Sequence, residues 1–294
     1  MAALFNTKFM NILKDEVIAS NLNTLDKLKN VVDSQLEQIQ IMAVQMKVNS
    51  RLKPFTFEND PYKALGVKNE LINLKVTNNF IHEVFIYFRG DDYLYSSSSS
   101  YSVSTFINDI YHFENWSYDD FYKDINSVNY YTIRSKDSIS LNNSNTSYFT
   151  TFIFPLSIVK TSPYGTAMFL VPQDSFKALT INNYKGLNGN TIIISNNNEV
   201  IFSLEDEEYI YTSDFMDLVT SSEKQCSKTV SFNSNDYIFN YIESAITGWQ
   251  YITVIPLKEI MSQVYEVRDN MVISIIIILL IGSIAIYYMM YMNY

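Results

Sequence analysis

A single cysteine, Cys226, stands in this chain of 294 residues, so no intrachain disulfide can form. Glycine (7) and proline (6) are almost as scarce, and the glycines are too scattered to write a dinucleotide turn, a phosphate loop or a nucleophile elbow. There are 2 histidines, His82 and His112, and neither belongs to an HExxH pair or a Cys/His cluster, which argues against a metal site. Basic side chains are outnumbered, 21 against 31 acids, and the net charge of −10 leaves no basic face to neutralise phosphates. Nucleic-acid binding by this chain is not expected. The adjacent acids Asp119-Asp120 and the run Glu205 to Glu208 read as solvated carboxylates, and Cys226 has no evident base beside it. No catalytic residue and no cofactor is therefore expected.

What is present is hydrophobic: 47% of the residues, with tyrosine (23) and phenylalanine (19) abundant, the composition of a packed protein. Met271 to Met292, MVISIIIILLIGSIAIYYMMYM, carries no charged residue. As a helix it would reach roughly 33 Å, enough for a bilayer core of about 30 Å. Tyr287, Tyr288 and Tyr291 gather at one end, as aromatics do at a lipid–water boundary. This predicts a C-terminal transmembrane helix and a cell-membrane location. The flank Asn293-Tyr294 carries no Lys or Arg, so charge does not set the orientation.

Between Lys8 and about Lys53 there is no Gly or Pro, and Ile18, Leu25, Val32, Ile39 and Met46 recur at sevens, with Leu22, Leu36 and Ala43 in a second row. The spacing predicts a long amphipathic helix whose stripe faces either a partner helix or its own domain. Pro61 to Asn79 reads as a helix-rich bridge. Phe80 to Phe88, the turn Arg89-Gly90-Asp91-Asp92 and Tyr93-Leu94-Tyr95 read as a hairpin, the Arg-Gly-Asp serving the turn rather than adhesion. A serine run (Ser96 to Ser100), a short helix (Val103 to Tyr111) and an aromatic loop (His112 to Tyr122) follow. Next come a strand (Tyr130 to Ser135), an Asn/Ser-rich loop (Lys136 to Ser147) and a strand pair, Tyr148 to Ile158 and Gly165 to Val171. The second half repeats the outline more briefly: Thr191 to Ser195, Val200 to Ser203, Lys228 to Phe232, Tyr237 to Glu243 and Trp249 to Ile255. In both halves the last strand ends alike, Gly165 to Val171-Pro172 then Phe176, and Gly248 to Ile255-Pro256 then Ile260. Two similar antiparallel sheets in tandem are the simplest account.

The longer first half keeps its surplus between Ser96 and Ser147, and elaborated loops on a rigid sheet are where binding usually lives. Alternation puts Tyr130, Thr132 and Arg134 on one face of a strand. That face suits a pocket wall, with Arg134 as a fork for a carboxylate and Trp116 and Tyr118 as lids. The plainer alternative leaves Arg134 at the solvent surface and Trp116 in the core. Asp174 is a further candidate that would serve equally as a helix cap.

Taken together, the long helix, EVFIYFRGDDYLYSS (Glu83 to Ser97), GTAMFLVPQDSF (Gly165 to Phe176) and GWQYITVIPLKEI (Gly248 to Ile260) ahead of the apolar span resemble a double Cache sensor region. Membrane-bound AraC-type regulators and sensor histidine kinases share that layout. The resemblance implies an α+β fold: a long N-terminal helix (1–53), two tandem PAS-like antiparallel modules (54–180 and 181–257), a linker helix (258–270) and a transmembrane helix (271–292). It implies a small-molecule ligand or partner protein outside the cell, a homodimer, and a signal passed to a cytoplasmic effector. Such receptors also have a membrane helix upstream. The amino-acid-binding subgroup carries an Arg-x-Trp-Tyr element, whereas Arg134 is followed by Ser135-Lys136-Asp137, so amino-acid recognition is not implied. The competing reading is a surface-anchored structural or adhesion protein without signalling output.

Overall fold

The computed structural model describes residues 2–54, 61–141, 146–157, 162–183, 189–205, 210, 212–232 and 235–292. Asn293 and Tyr294, residues 206–208 of the acidic run, and residues 142–145 of the expected Asn/Ser-rich loop lie outside them. Helix α1 spans Ala2–Val48, 47 residues. Its rows settle the partner question. Leu25, Val32, Ile39 and Met46 are at most 1% exposed, and they share one cluster with apolar residues from two separate sheets. The stripe is a packing spine for the chain's own core. Lys29, which interrupts the second row, is held by Asp26 at 2.6 Å on the same helix.

Helix α2 (Pro61–Val76) begins on a proline, whose missing N–H costs nothing at the first helical position. Strands β1 (Glu83–Phe88) and β2 (Tyr93–Ser96) form the expected hairpin. Gly90 takes φ 81°, the left-handed region that the turn requires. Asp91 is only 6% exposed and accepts a hydrogen bond from the Tyr95 hydroxyl at 2.8 Å, a folding role incompatible with a displayed adhesion tripeptide. The serine run is the tight turn into β3 (Ser100–Ser102): the buried Ser96 Oγ accepts from the backbone N–H of Ser98 and Ser99 at 3.1 and 3.0 Å.

The expected helix 103–111 is a single turn, α3 (Val103–Thr105), followed by a π-helix (Phe106–Ile110) and β4 (Tyr111–Phe113). The second part of the aromatic loop is helical, α4 (Tyr118–Ser127), because Ser117 caps it by accepting from the N–H of Asp120. The largest departure is at Lys136. Strand β5 runs from Thr132 to Leu141, through most of the expected loop. A bulge between Arg134 and Asp137, with Lys136 at φ 53°, absorbs one extra residue and lets the strand continue beside β6 (Thr146–Leu156). Strand β7 (Gly165–Pro172) completes a seven-stranded antiparallel sheet ordered β3-β2-β1-β7-β6-β5-β4.

Helix α5 (Gln173–Asn183) leads to the second sheet. Its strands β8 (Asn190–Ile194), β9 (Val200–Ser203), β10 (Gln225–Phe232), β11 (Asn235–Glu243) and β12 (Gln250–Pro256) are ordered β10-β11-β12-β8-β9. Helix α6 (Ser213–Thr220) covers one face through Phe215 and Val219. The other face meets α1. There Asp33, 4% exposed, accepts hydrogen bonds from Ser244 Oγ at 2.7 Å, Thr247 Oγ1 at 3.3 Å and Tyr251 Oη at 2.8 Å. Burial and the Asp33 carboxylate push the Tyr251 hydroxyl well above its ordinary value, so it stays a donor. Helix α7 (Leu257–Met292) leaves β12 directly. Ile260 is buried against α1 residues Val17 and Ile18, whereas the apolar residues beyond Met271 lie on the surface. Among the described residues α7 is the one helix long and apolar enough to cross a membrane, with a mean hydropathy of 2.6.

Candidate functional site

The first sheet carries a larger and more aromatic cover than the single helix α6 on the second. Phe106 of the π-helix, Phe113, Trp116 and Phe121 pack edge-on or tilted at ring separations between 4.8 and 6.3 Å, roofing the face formed by Phe85, Phe149, Met168 and Leu170. Where this roof ends, between the C-terminal half of α4 and the start of β5, lies a cavity of about 420 Å³. Its size is in the range of small-molecule sites. Tyr130, Thr132 and Arg134 line it, together with Asp124 and Asn129, and so does Ile133, which simple alternation places on the opposite face. Tyr130 precedes the strand and is 84% exposed, at the mouth.

The other three candidates stand elsewhere. Trp116 is a core residue, 2% exposed, so it does not close over the cavity from outside. It reaches the site through two contacts: its Nε1–H donates to Asp124 Oδ2 at 2.9 Å, and the Arg134 guanidinium lies 4.1 Å above its ring. Tyr118 is exposed and stacks on Tyr122, away from the cavity lining. Asp174 is exposed in the first turn of α5, where a carboxylate complements the helix dipole.

Arg134 is neither free nor solvent-directed. Its Nε donates to Asp137 Oδ2 at 3.2 Å and its Nη2 to Asp137 Oδ1 at 2.9 Å, with a further bond to the Asn115 carbonyl at 3.3 Å. The fork read as a carboxylate grip is thus filled by the chain's own carboxylate. Asp137 is 6% exposed; burial raises its pKa, while Arg134 and the Thr151 hydroxyl pull it down. Sequence reasoning missed this partner because residues three apart on a regular strand point to opposite faces. The bulge at Lys136 turns Asp137 back, and no residue type announces it. Asp124 was more accessible: Ser117-x-x-Asp120 is a helix-start pattern, and a helix begun there carries Asp124 one turn beyond Asp120.

No protein-family model and no curated protein matches the chain. Solved structures do match along most of its length. The extracellular domain of soHK1S-Z6, assigned as a histidine kinase, superposes with a TM-score of 0.59 at 14% identity, over 88% of this chain and 99% of that one. The ligand-binding domain of the Campylobacter jejuni chemoreceptor Tlp3, in complex with 4-methylisoleucine, gives 0.55 at 12%, over 84% and 94%. The ligand-binding domain of Mlp24 with asparagine gives 0.52 at 14%, over 87% and 98%. The fold of this chain is therefore that of the Cache-like extracellular sensor domains of chemoreceptors and histidine kinases.

Proposed function

We propose that this chain is the extracytoplasmic sensing region of a membrane-anchored receptor. It binds a small molecule in the cavity between α4 and β5 and relays the change through α7 to a cytoplasmic effector of AraC or histidine-kinase type. The observation that carries the reading is the shared fold, over more than four-fifths of the chain, with domains solved holding asparagine or 4-methylisoleucine. The strand order supports two tandem PAS-like modules: β2-β1-β7-β6-β5 in the first sheet has its counterpart in β9-β8-β12-β11-β10 in the second. The relay rests on continuity. Helix α7 runs from a turn buried beside α1 into a stretch with the length and apolarity of a membrane span, without a proline or a break. A ligand shifts such a device only through different affinity for its two states, typically worth about 1–3 kcal/mol.

The test uses the full chain in detergent, with thermal unfolding followed against a panel of metabolites of every charge class. A saturable stabilisation by one class, lost when Thr132→Trp fills the cavity, supports the reading. No stabilisation by any solute defeats direct sensing.

A further inference from the structure

A second cleft, of about 320 Å³, lies where α1, the link between α2 and β1, and α5 meet, and it shares no residue with the cavity between α4 and β5. None of its lining residues is ionisable. Gln35 and Gln38 come from α1, Thr77, Asn78 and Asn79 from the link, and Ser175 from α5, beside Phe80, Ala178 and Leu179. Part of this polar set is committed to the fold. Asn78 Nδ2 donates to Gln38 Oε1 at 2.9 Å, Asn78 Oδ1 accepts from the Phe80 N–H at 2.8 Å, and Thr77 Oγ1 donates to the Leu74 carbonyl at 2.7 Å. The remainder is open: the Gln35 and Asn79 amides, the Ser175 hydroxyl and Gln38 Nε2 have no hydrogen-bond partner among the described residues.

That lining selects by exclusion. A carboxylate or an ammonium ion would give up water here without gaining a counter-ion. Glu37, Asp174 and Lys177 adjoin lining residues in sequence, but all three are exposed and outside the lining, and Lys75 is turned to Glu83 at 3.9 Å. A flat heteroaromatic ring would need a stacking face, yet Phe80 is 6% exposed and meets Phe176 edge-on at 4.9 Å. A neutral molecule with several hydroxyls meets neither obstacle. Amides and hydroxyls offer donors and acceptors together, as sugar hydroxyls do, and Ala178 and Leu179 supply apolar contact for its C–H surface. We propose that the cleft between α1, the 77–80 link and α5 is a second binding site, for a small neutral polyhydroxylated molecule of the sugar or cyclitol class, held by Gln35, Gln38, Asn79 and Ser175. Helix α5 joins the two sheets, and Gln173 Nε2 at its start donates to the Ile201 carbonyl of β9 at 2.8 Å. A ligand that bridges α1 and α5 therefore stiffens the connection between the sheets.

The proposal does not depend on what the cavity between α4 and β5 binds, and one filling variant in each site keeps the two apart. The full chain in detergent is titrated at neutral pH with D-glucose, D-ribose and myo-inositol, and with D-glucosamine and D-glucuronate as charged counterparts. Calorimetry is the readout, because sugars excluded from a protein surface raise its melting temperature without a site. Saturable binding of at least one neutral probe is expected, with both charged probes weaker by about tenfold or more. Gln35→Leu keeps the bulk but removes donor and acceptor, and is expected to weaken the neutral probe by about tenfold. Ala178→Trp, at an exposed position of α5, fills the cleft and is expected to abolish binding. Hydrogen exchange with the bound probe should slow in residues 77–80 and in α5. Melting of each unliganded variant identifies any that fails to fold; if Gln35→Leu does, Ala178→Trp decides alone. No binding by any neutral probe overturns the proposal, as does a charged probe that binds as tightly as the best neutral one. Binding that survives Ala178→Trp but is lost in Thr132→Trp overturns it too, and moves the sugar to the cavity between α4 and β5, where it supports the sensing reading instead.

Discussion

Strip the first sheet of its two outer strands, β3 and β4, and both sheets have the same order, with hairpin, last strand and two long strands in the same places. Each ends in a proline followed by a helix whose fourth residue is buried, Phe176 in α5 and Ile260 in α7. What differs is the cover. Between hairpin and third strand the first sheet inserts α3, the π-helix, β4 and α4, an aromatic roof with a cavity at its edge. In the same interval the second sheet has α6, eight residues packed on the sheet through Phe215 and Val219, and its Asp33 junction ties the opposite face to α1. One sheet is built around a gap and the other around a joint. On the proposed reading, recognition falls to the first sheet and transmission to the second.

The sharpest way to break that division is to remove the centre of each cover. Phe106 is fully buried among Phe85, Tyr111, Phe113 and Phe121, and Phe215 is fully buried against Phe239. Truncation of either to alanine is expected to cost about 3–5 kcal/mol in denaturant unfolding. Only Phe106→Ala should also abolish ligand binding, because α4 rests on that ring. Equal loss of binding in Phe215→Ala would erase the distinction. Next comes the joint itself. Asp33→Ala strands the buried hydroxyls of Ser244 and Tyr251 and is expected to cost about 3 kcal/mol, while Asp33→Asn, which keeps an acceptor, costs less. Hydrogen exchange should then rise in β11, β12 and the facing turns of α1, with the first sheet unaffected. A smaller effect is expected at Gly165, where an added Cβ would fall 2.5 Å from the Tyr87 carbonyl. Gly165→Ala forces β7 away from β1 at about 1–3 kcal/mol by the same assay.

Much of this plan was legible in the residues, for identifiable reasons. A seven-residue apolar recurrence without Gly or Pro has one local solution, so α1 was readable, as was the hairpin signalled by Gly90. The repeat of Pro172 and Pro256 behind an apolar strand gave the two-sheet arrangement. The illegible parts depend on events with no residue code. A lysine in the left-handed region makes the bulge that carries β5 past Lys136, and that bulge alone brings Asp137 to Arg134. Trp116 is ambiguous in one dimension because core and lid both favour a large aromatic. Its indole–Asp124 bond and the rings around it place it in the core. The choice between spine and dimer seam for α1 also required knowing that two sheets would arrive on the same stripe.

The weakest expected effect distinguishes the sheets by pH. His82, at the entry to β1, lies with its ring 5.3 Å from that of Phe149; burial chiefly, and Lys75 secondarily, lower its pKa, with Glu83 opposing them. The native state then binds fewer protons than the unfolded chain between the lowered value and the ordinary imidazole value. Its contribution to stability is complete above the unfolded value, near pH 6.5 for a free imidazole, and is lost as pH falls through the folded one. The second sheet contains no histidine, and His112 lies in β4, so both imidazoles belong to the first. Acidification from pH 7 to 5 is expected to loosen β1 before it loosens β12 by hydrogen exchange, and His82→Gln should flatten that part of the profile. An acid response of the same size in β12, or one undiminished in His82→Gln, would mean that the carboxylates common to both halves, not this imidazole, set the first step of acid unfolding.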